Sequence, residues 1–166
     1  MYETPEDIER LQALLDASYA AAGPHLAAIH TAEARLTAVD LVVRLQGMQV
    51  FVVATVSSDG RPMTGPVDTF LYRGALRFGT AHNSVRARHL ARSPVVSATH
   101  VRGETLVVTA HGRAQRLDLE GRDRDFSDFL RDHYGVTSFD QHLAGEPYYE
   151  IEADRLFAAD MSVHAG

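Results

Sequence analysis

QVFVVATVSSDGRPMTGPVDTFLYRGALRFGT, residues Gln49–Thr80, decides the fold class. β-Branched and aromatic residues dominate it, and two turn signals divide it: Asp59-Gly60 between Val50–Val56 and Met63–Leu71, and Arg73-Gly74 ahead of Ala75–Gly79. A glycine in the second place of such a pair supplies the positive φ that tight hairpins need, so the stretch predicts a three-stranded antiparallel meander. Downstream, VVSATHV (Val95–Val101), the turn Arg102-Gly103-Glu104 and TLVVTAHGRAQRL (Thr105–Leu117) add two strands. A helix is expected around Arg124–Tyr134, and Tyr148–Phe157 reads as a last strand. Six strands built from short antiparallel units suit a small closed or partly closed barrel, because closure removes adhesive edges.

Upstream of the meander the period changes to that of helices. Thr4-Pro5-Glu6-Asp7 combines an N-cap, a first-turn proline and acids at the positive helix end, followed by Ile8, Leu11, Leu14, Leu15 and Tyr19 at helical spacing to about Ala22. Gly23-Pro24 breaks that helix. Leu26, Ile29 and Leu36 suggest a second, and Thr37 with Asp40 opens a third that ends at Gly47. The expected organisation is one domain over residues 1–166, with a mostly helical extension at 4–47 and a barrel at 48–160.

Composition narrows the function. The chain has 166 residues, 45% apolar and 23% charged, with no cysteine and no apolar run near the ~20 residues that span a bilayer. A soluble protein with a cytoplasmic address is the expectation, with no membrane partner. The net charge of −6 argues against nucleic-acid binding, which needs a positive field along the phosphate backbone. The nine histidines form no His-x-His or His-Glu-x-x-His pattern, so no zinc site is expected. Ser57 and Ser58 sit in a hairpin turn whose Asp59 has a structural task there, which leaves hydrolase chemistry without a nucleophile and base pair.

Against that acidic background GTAHNSVRARHLARSP, Gly79–Pro94, gathers Arg86, Arg88 and Arg92 with His82 and His89. Asn83 or Ser84 can cap a helix that ends before Pro94, with Ala87, Leu90 and Ala91 as its apolar face. Arg88 and Arg92 share one face of that helix while Arg86 and His89 share another, so the arginines cannot all serve one ligand. Ser84, the free first-turn N–H groups and Arg86 make an anion cradle, for which a phosphate is the natural guest; a solvated charged face is the competing reading.

VATVSSDGRPMTGPV, LRFGTAHNSVRARHLARSPVVSATHV and VTAHGRAQRL, in that order, resemble the pyridoxamine 5′-phosphate oxidase-like family of flavin and deazaflavin oxidoreductases, over roughly residues 37–158. The resemblance implies an α+β, mainly β fold: a six-stranded antiparallel split β-barrel with N-terminal helices and short connecting helices. It implies a homodimer with a flavin-type cofactor in a groove at the subunit interface. Ser84 and Arg86 match the serine and second basic residue of the family's Ser-Arg-Lys phosphate motif, and Thr80, after Gly79, matches the threonine ahead of it. Thr64, Gly65, Pro66 and Val67 would lie along the isoalloxazine ring. Val85 stands where the motif has its first cation, with Arg88 as a candidate replacement, and Gly65–Phe70 lacks the cations of the true oxidases' Arg-x-Val-Leu-Leu-Lys strand. These departures set genuine pyridoxamine 5′-phosphate oxidation aside.

The expected activity is hydride transfer between FMN and a small conjugated substrate, with no catalytic side chain assigned. Alternatives are a reductase using the deazaflavin coenzyme F-420, and a non-catalytic module binding flavin or haem, the latter through His82 or His111. Tyr148 and Tyr149 are candidate groove walls or core residues, and Asp68 faces either the groove or solvent.

Overall fold

A computed structural model describes residues 2–164. Three helices come first: α1 (Pro5–Ala20), α2 (Pro24–Ile29) and α3 (Ala38–Arg44). Then follow β1 (Met48–Val56), β2 (Pro62–Tyr72), β3 (Ala75–Gly79), α4 (Val85–Arg92), β4 (Val95–Arg102), β5 (Leu106–Arg116), α5 (Arg124–Tyr134), α6 (Val136–His142) and β6 (Tyr148–Ala159). A short 3-10 turn, Met161–His164, ends the described chain. The six strands form a closed barrel in the order β1-β2-β3-β6-β5-β4, every pair antiparallel.

The turns follow from the sequence. Arg73 and Gly74 both have positive φ, 53° and 74°, which is the two-residue hairpin geometry whose twist suits adjoining strands. Gly60, at φ 83°, serves the β1–β2 loop, where the Ser57 N–H donates to the Arg61 carbonyl. Gly112 has a different reason to be glycine. A bulge falls between His111 and Gly112, and a Cβ there would stand 2.8 Å from the Ala153 Cα and closer still to the Glu152 carbonyl oxygen.

β3 is the short member of the barrel. Its five residues lie between an eleven-residue and a twelve-residue neighbour, pairing with Thr69–Tyr72 on one side and Tyr148–Ile151 on the other. Past its start the far half of β6 overhangs, and past its end Pro62–Asp68 of β2 overhang. An overhanging edge carries backbone groups that need partners.

The β6 overhang is completed by the N-terminal segment. Ser18 Oγ accepts from the Leu156 N–H at 2.9 Å. The Tyr19 hydroxyl donates to the Ala158 carbonyl at 2.8 Å and accepts its N–H at 3.1 Å. The Leu36 N–H donates to Ala158, and the Asp160 N–H to Ala34. Leu36 is therefore not helical: the second helix closes at Ile29, and residues 34–36 run as a strand-like strap instead. β6 likewise extends two residues past its expected end because this strap supports it.

Two apolar clusters flank the sheet. The barrel interior holds Phe51, Val53, Phe78, Val108 and Tyr149, joined by Leu11 and Leu15 of α1 and Leu41 of α3. Outside it, α5 lays Phe126, Phe129 and Leu130 on Phe70, Tyr72 and Tyr148. α6 was not expected from the sequence. It contributes a single buried residue, Phe139, too little to mark a helix by period.

Tyr19→Phe removes the side-chain partner of a buried N–H, which costs about 1–3 kcal/mol. Urea unfolding is expected to show that loss; a change under about 0.5 kcal/mol, the range of an ordinary surface substitution, would contradict the strap's role.

Candidate functional site

The second overhang, that of β2, stays open. Beyond Thr69 its edge has no β3 partner, and a pocket of about 400 Å³ lies against it. Pro66, Val67 and Asp68 form one wall, Gly79, Thr80 and Arg86 a second, and Tyr134, His142, Glu146 and Tyr148 the third. The barrel's shortest strand thus places a loop, a helix start and free backbone around one concavity.

α4 is held firmly behind this pocket. Ser84 is its N-cap, accepting the Ala87 N–H at 3.0 Å, and Ala87, His89 and Leu90 are buried. His89 meets Thr55 of β1 through Nδ1 at 2.9 Å, so a buried polar pair takes the place expected of Ala91, which is exposed. The arginines separate as helix phase requires. Arg88 is exposed and donates to the Asn83 carbonyl at 2.9 Å, away from the pocket lining. Arg86 turns inward and donates to Thr80 Oγ1 at 3.3 Å and to the Pro66 carbonyl at 3.5 Å, while Thr80 and Ser84 share a hydrogen bond of 3.0 Å.

Arg86 is half-buried, and among the described residues no carboxylate forms an ion pair with it. Burial lowers its proton affinity from the usual arginine value, a cost an anion would offset while the guanidinium stays charged. Gly65 has its place beside this group: a Cβ there would meet Arg86 Nη2 at 2.8 Å. Thr64 is exposed and, with Gly65, lies outside the lining.

The opposite wall carries phenols. Burial, with the neighbouring Tyr134, Asp68 and Glu146, raises Tyr148 far above the ordinary tyrosine range; burial and Asp68 raise Tyr134. Both stay neutral hydroxyl donors across physiological pH. Tyr148 packs close against the end of β3, where a Cβ on Gly79 would come within 2.8 Å of its ring. Tyr149, its neighbour in sequence, points the other way and stacks on Phe78 in the barrel core with centroids 5.6 Å apart. Alternation along β6 assigns one tyrosine to the pocket and the other to the interior.

Asp68 lines the pocket rather than merely blunting an edge. Sequence reasoning did not reach Tyr134, His142 or Glu146, which come from α5, α6 and the loop behind them. His82 gives its backbone N–H to Glu146 and approaches the same carboxylate through Nδ1, and His111 pairs with Ser97 on the outer face of the sheet. Among the described residues no group of three or more His, Asp or Glu side chains is placed to hold a metal ion, and no helix is long and apolar enough to cross a membrane.

Solved structures that share the architecture include three of known source. They are the conserved hypothetical protein Rv2991 from Mycobacterium tuberculosis (TM-score 0.69, 18% identity, 82% of this chain and 92% of that one), HutZ, the heme storage protein from Vibrio cholerae (0.61, 16%, 72% and 92%), and the FAD binding protein from Mycobacterium smegmatis (0.53, 13%, 75% and 95%). At these identities the likeness is one of fold. No curated protein matches the sequence. Residues 40–158, from α3 to the penultimate residue of β6, match the family model described as pyridoxamine 5′-phosphate oxidase, and the chain belongs to that family.

Proposed function

We propose that this chain is a flavin-type cofactor-binding oxidoreductase that works as a homodimer in the cytoplasm on a small conjugated substrate, and is not a true pyridoxamine 5′-phosphate oxidase. The observation that carries the reading is Arg86: a half-buried cation without a carboxylate partner, beside two hydroxyls and a helix start. Thr80, Ser84 and Arg86 would hold the cofactor phosphate. Of the expected Thr64–Val67 edge, Pro66 and Val67 would offer backbone groups to the ring, and Asp68 an acceptor for an N–H donor. A bound flavin supplies hydride transfer; the chain supplies position, neutral donors at Tyr134 and Tyr148, and exclusion of water. With Val85 in place of a cation and Arg88 directed elsewhere, Arg86 is the one arginine that lines this pocket among the described residues.

The dimer is supported by an apolar outer face. Val50 and Val52 of β1 and Val95 and Val101 of β4 are 46–58% exposed on adjacent strands. Val52 lies between Pro66 and Thr99, in the middle of that face and one strand from the pocket wall. Val50, Val52 and Val101 are exposed apolar side chains on adjacent strands, and a second copy is the partner proposed to cover them.

Fluorescence titration with FMN and with coenzyme F-420, on wild type and Arg86→Met, tests the phosphate cradle. Tight binding of one cofactor, weakened roughly ten- to hundredfold in the variant by loss of charge-assisted bonds, is the expected outcome. Binding that ignores Arg86 would contradict it. A Soret band on adding haem, with no flavin bound, would instead favour the heme-binding alternative through His82 or His111, a use of the fold that the Vibrio protein's name supports.

Val52→Glu places a charge on the proposed interface without disturbing the core. Analytical ultracentrifugation is expected to find a wild-type dimer and a variant monomer with impaired cofactor binding. A wild-type monomer, or a variant that dimerises as well, would remove this part of the reading.

A further inference from the structure

The two ends of β3 open two different spaces. Where the far end meets the polar pocket, the near end, at Gly74-Ala75-Leu76, meets a separate cavity of about 300 Å³ beneath α1. The two linings have no residue in common. Leu14 of α1, Leu41 of α3 and Leu156 of β6 face this space, and the strands present small side chains to it at Ala75, Ala110 and Ala153. The three alanines leave unfilled the space between the larger strand side chains Leu71, Leu76, Ile151 and Leu156 and the leucines of α1 and α3.

Protein interiors are close-packed, and voids larger than a water molecule are few. An apolar cavity of about 150 Å³ stays dry and accepts benzene, because water there would lack the two to four polar partners it requires. This space is about twice that size and opens to solvent at its rim, so a ligand there would cover its leucine and alanine floor. Its polar groups lie at the rim, and each is engaged. Arg10 donates to Asp7 and to the Arg73 carbonyl, Glu150 pairs with Arg77 at 2.7 Å, and Glu152 accepts from Gln115.

We propose that this cavity is a binding site for a neutral, hydrocarbon-like small molecule of one or two rings, held under α1 at the near end of β3. Charged ligands are excluded because no rim charge is left to pair with them. The site is independent of the polar pocket, and it stands or falls separately from the flavin reading.

The test uses the full chain with benzene and naphthalene as probes. Methyl NMR and thermal unfolding are followed for wild type, Ala75→Leu and Ala153→Leu. The expected result is selective perturbation of the Leu14, Leu41, Ala110 and Leu156 methyls, with Val67 and Leu143, which line the polar pocket, unmoved. Tm should rise with the logarithm of ligand concentration above Kd, as ligation of the native state requires. Either filling variant should weaken apparent affinity about tenfold or more, as loss of the cavity implies. Absence of methyl perturbation in wild type, perturbation centred on the exposed β1–β4 valines, or unchanged affinity in both variants would overturn the proposal. Should a filled variant not fold, the wild-type methyl map decides the question.

Discussion

The shortness of β3 is the constraint on which the rest of this structure depends. A five-residue strand between neighbours of eleven and twelve closes the barrel, yet it leaves a backbone edge at each end. The protein treats the two edges oppositely. At one, Ser18, Tyr19 and the 34–36 strap take up the groups of Leu156 and Ala158, so the N-terminal helices become part of the sheet's hydrogen bonding. At the other, no strand arrives, and the free stretch of β2 faces Thr80, Arg86 and Tyr148 across a pocket. The first edge ties the N-terminal helices to the barrel, and the second leaves β2 backbone facing the polar pocket.

Electrostatics in the pocket follow from this arrangement. α4 is tethered by its buried face and by the His89–Thr55 contact, which fixes the direction of Arg86. Desolvation without a counter-charge leaves the guanidinium short of partners, and the adjoining hydroxyls and helix start lower the cost of an anion further. Across the space, Tyr134 and Tyr148 are kept protonated by burial and by nearby negative charge. The result is a cation with spare donors at one end of the pocket, opposed to a wall in which the phenols of Tyr134 and Tyr148 stand beside the Glu146 carboxylate.

Much of the frame was legible in the sequence because it is local. Asp59-Gly60 and Arg73-Gly74 marked hairpins, Thr4 and Thr37 marked helix starts, and Asn83-Ser84 marked the start of α4, where Ser84 is the cap; each rests on a residue or two and the geometry they require. Helix phase also separated Arg86 from Arg88. What stayed hidden depends on distance along the chain. Closure of β1 on β4, the conversion of residues 34–36 from expected helix to strap, and the arrival of Tyr134 and Glu146 opposite Arg86 all join segments dozens of residues apart. The same holds for Tyr148 and Tyr149, equivalent as letters and divided only by which face of β6 each occupies.

The proposed function turns on recognition of a phosphate at the Arg86 end of the pocket. Equilibrium binding of FMN compared with riboflavin, which differs only in lacking that group, tests it most directly. FMN should bind at least about tenfold more tightly, as one charge-assisted hydrogen bond requires, and the gap should collapse in Arg86→Met. Equal affinity of the wild-type protein for the two compounds would contradict the account.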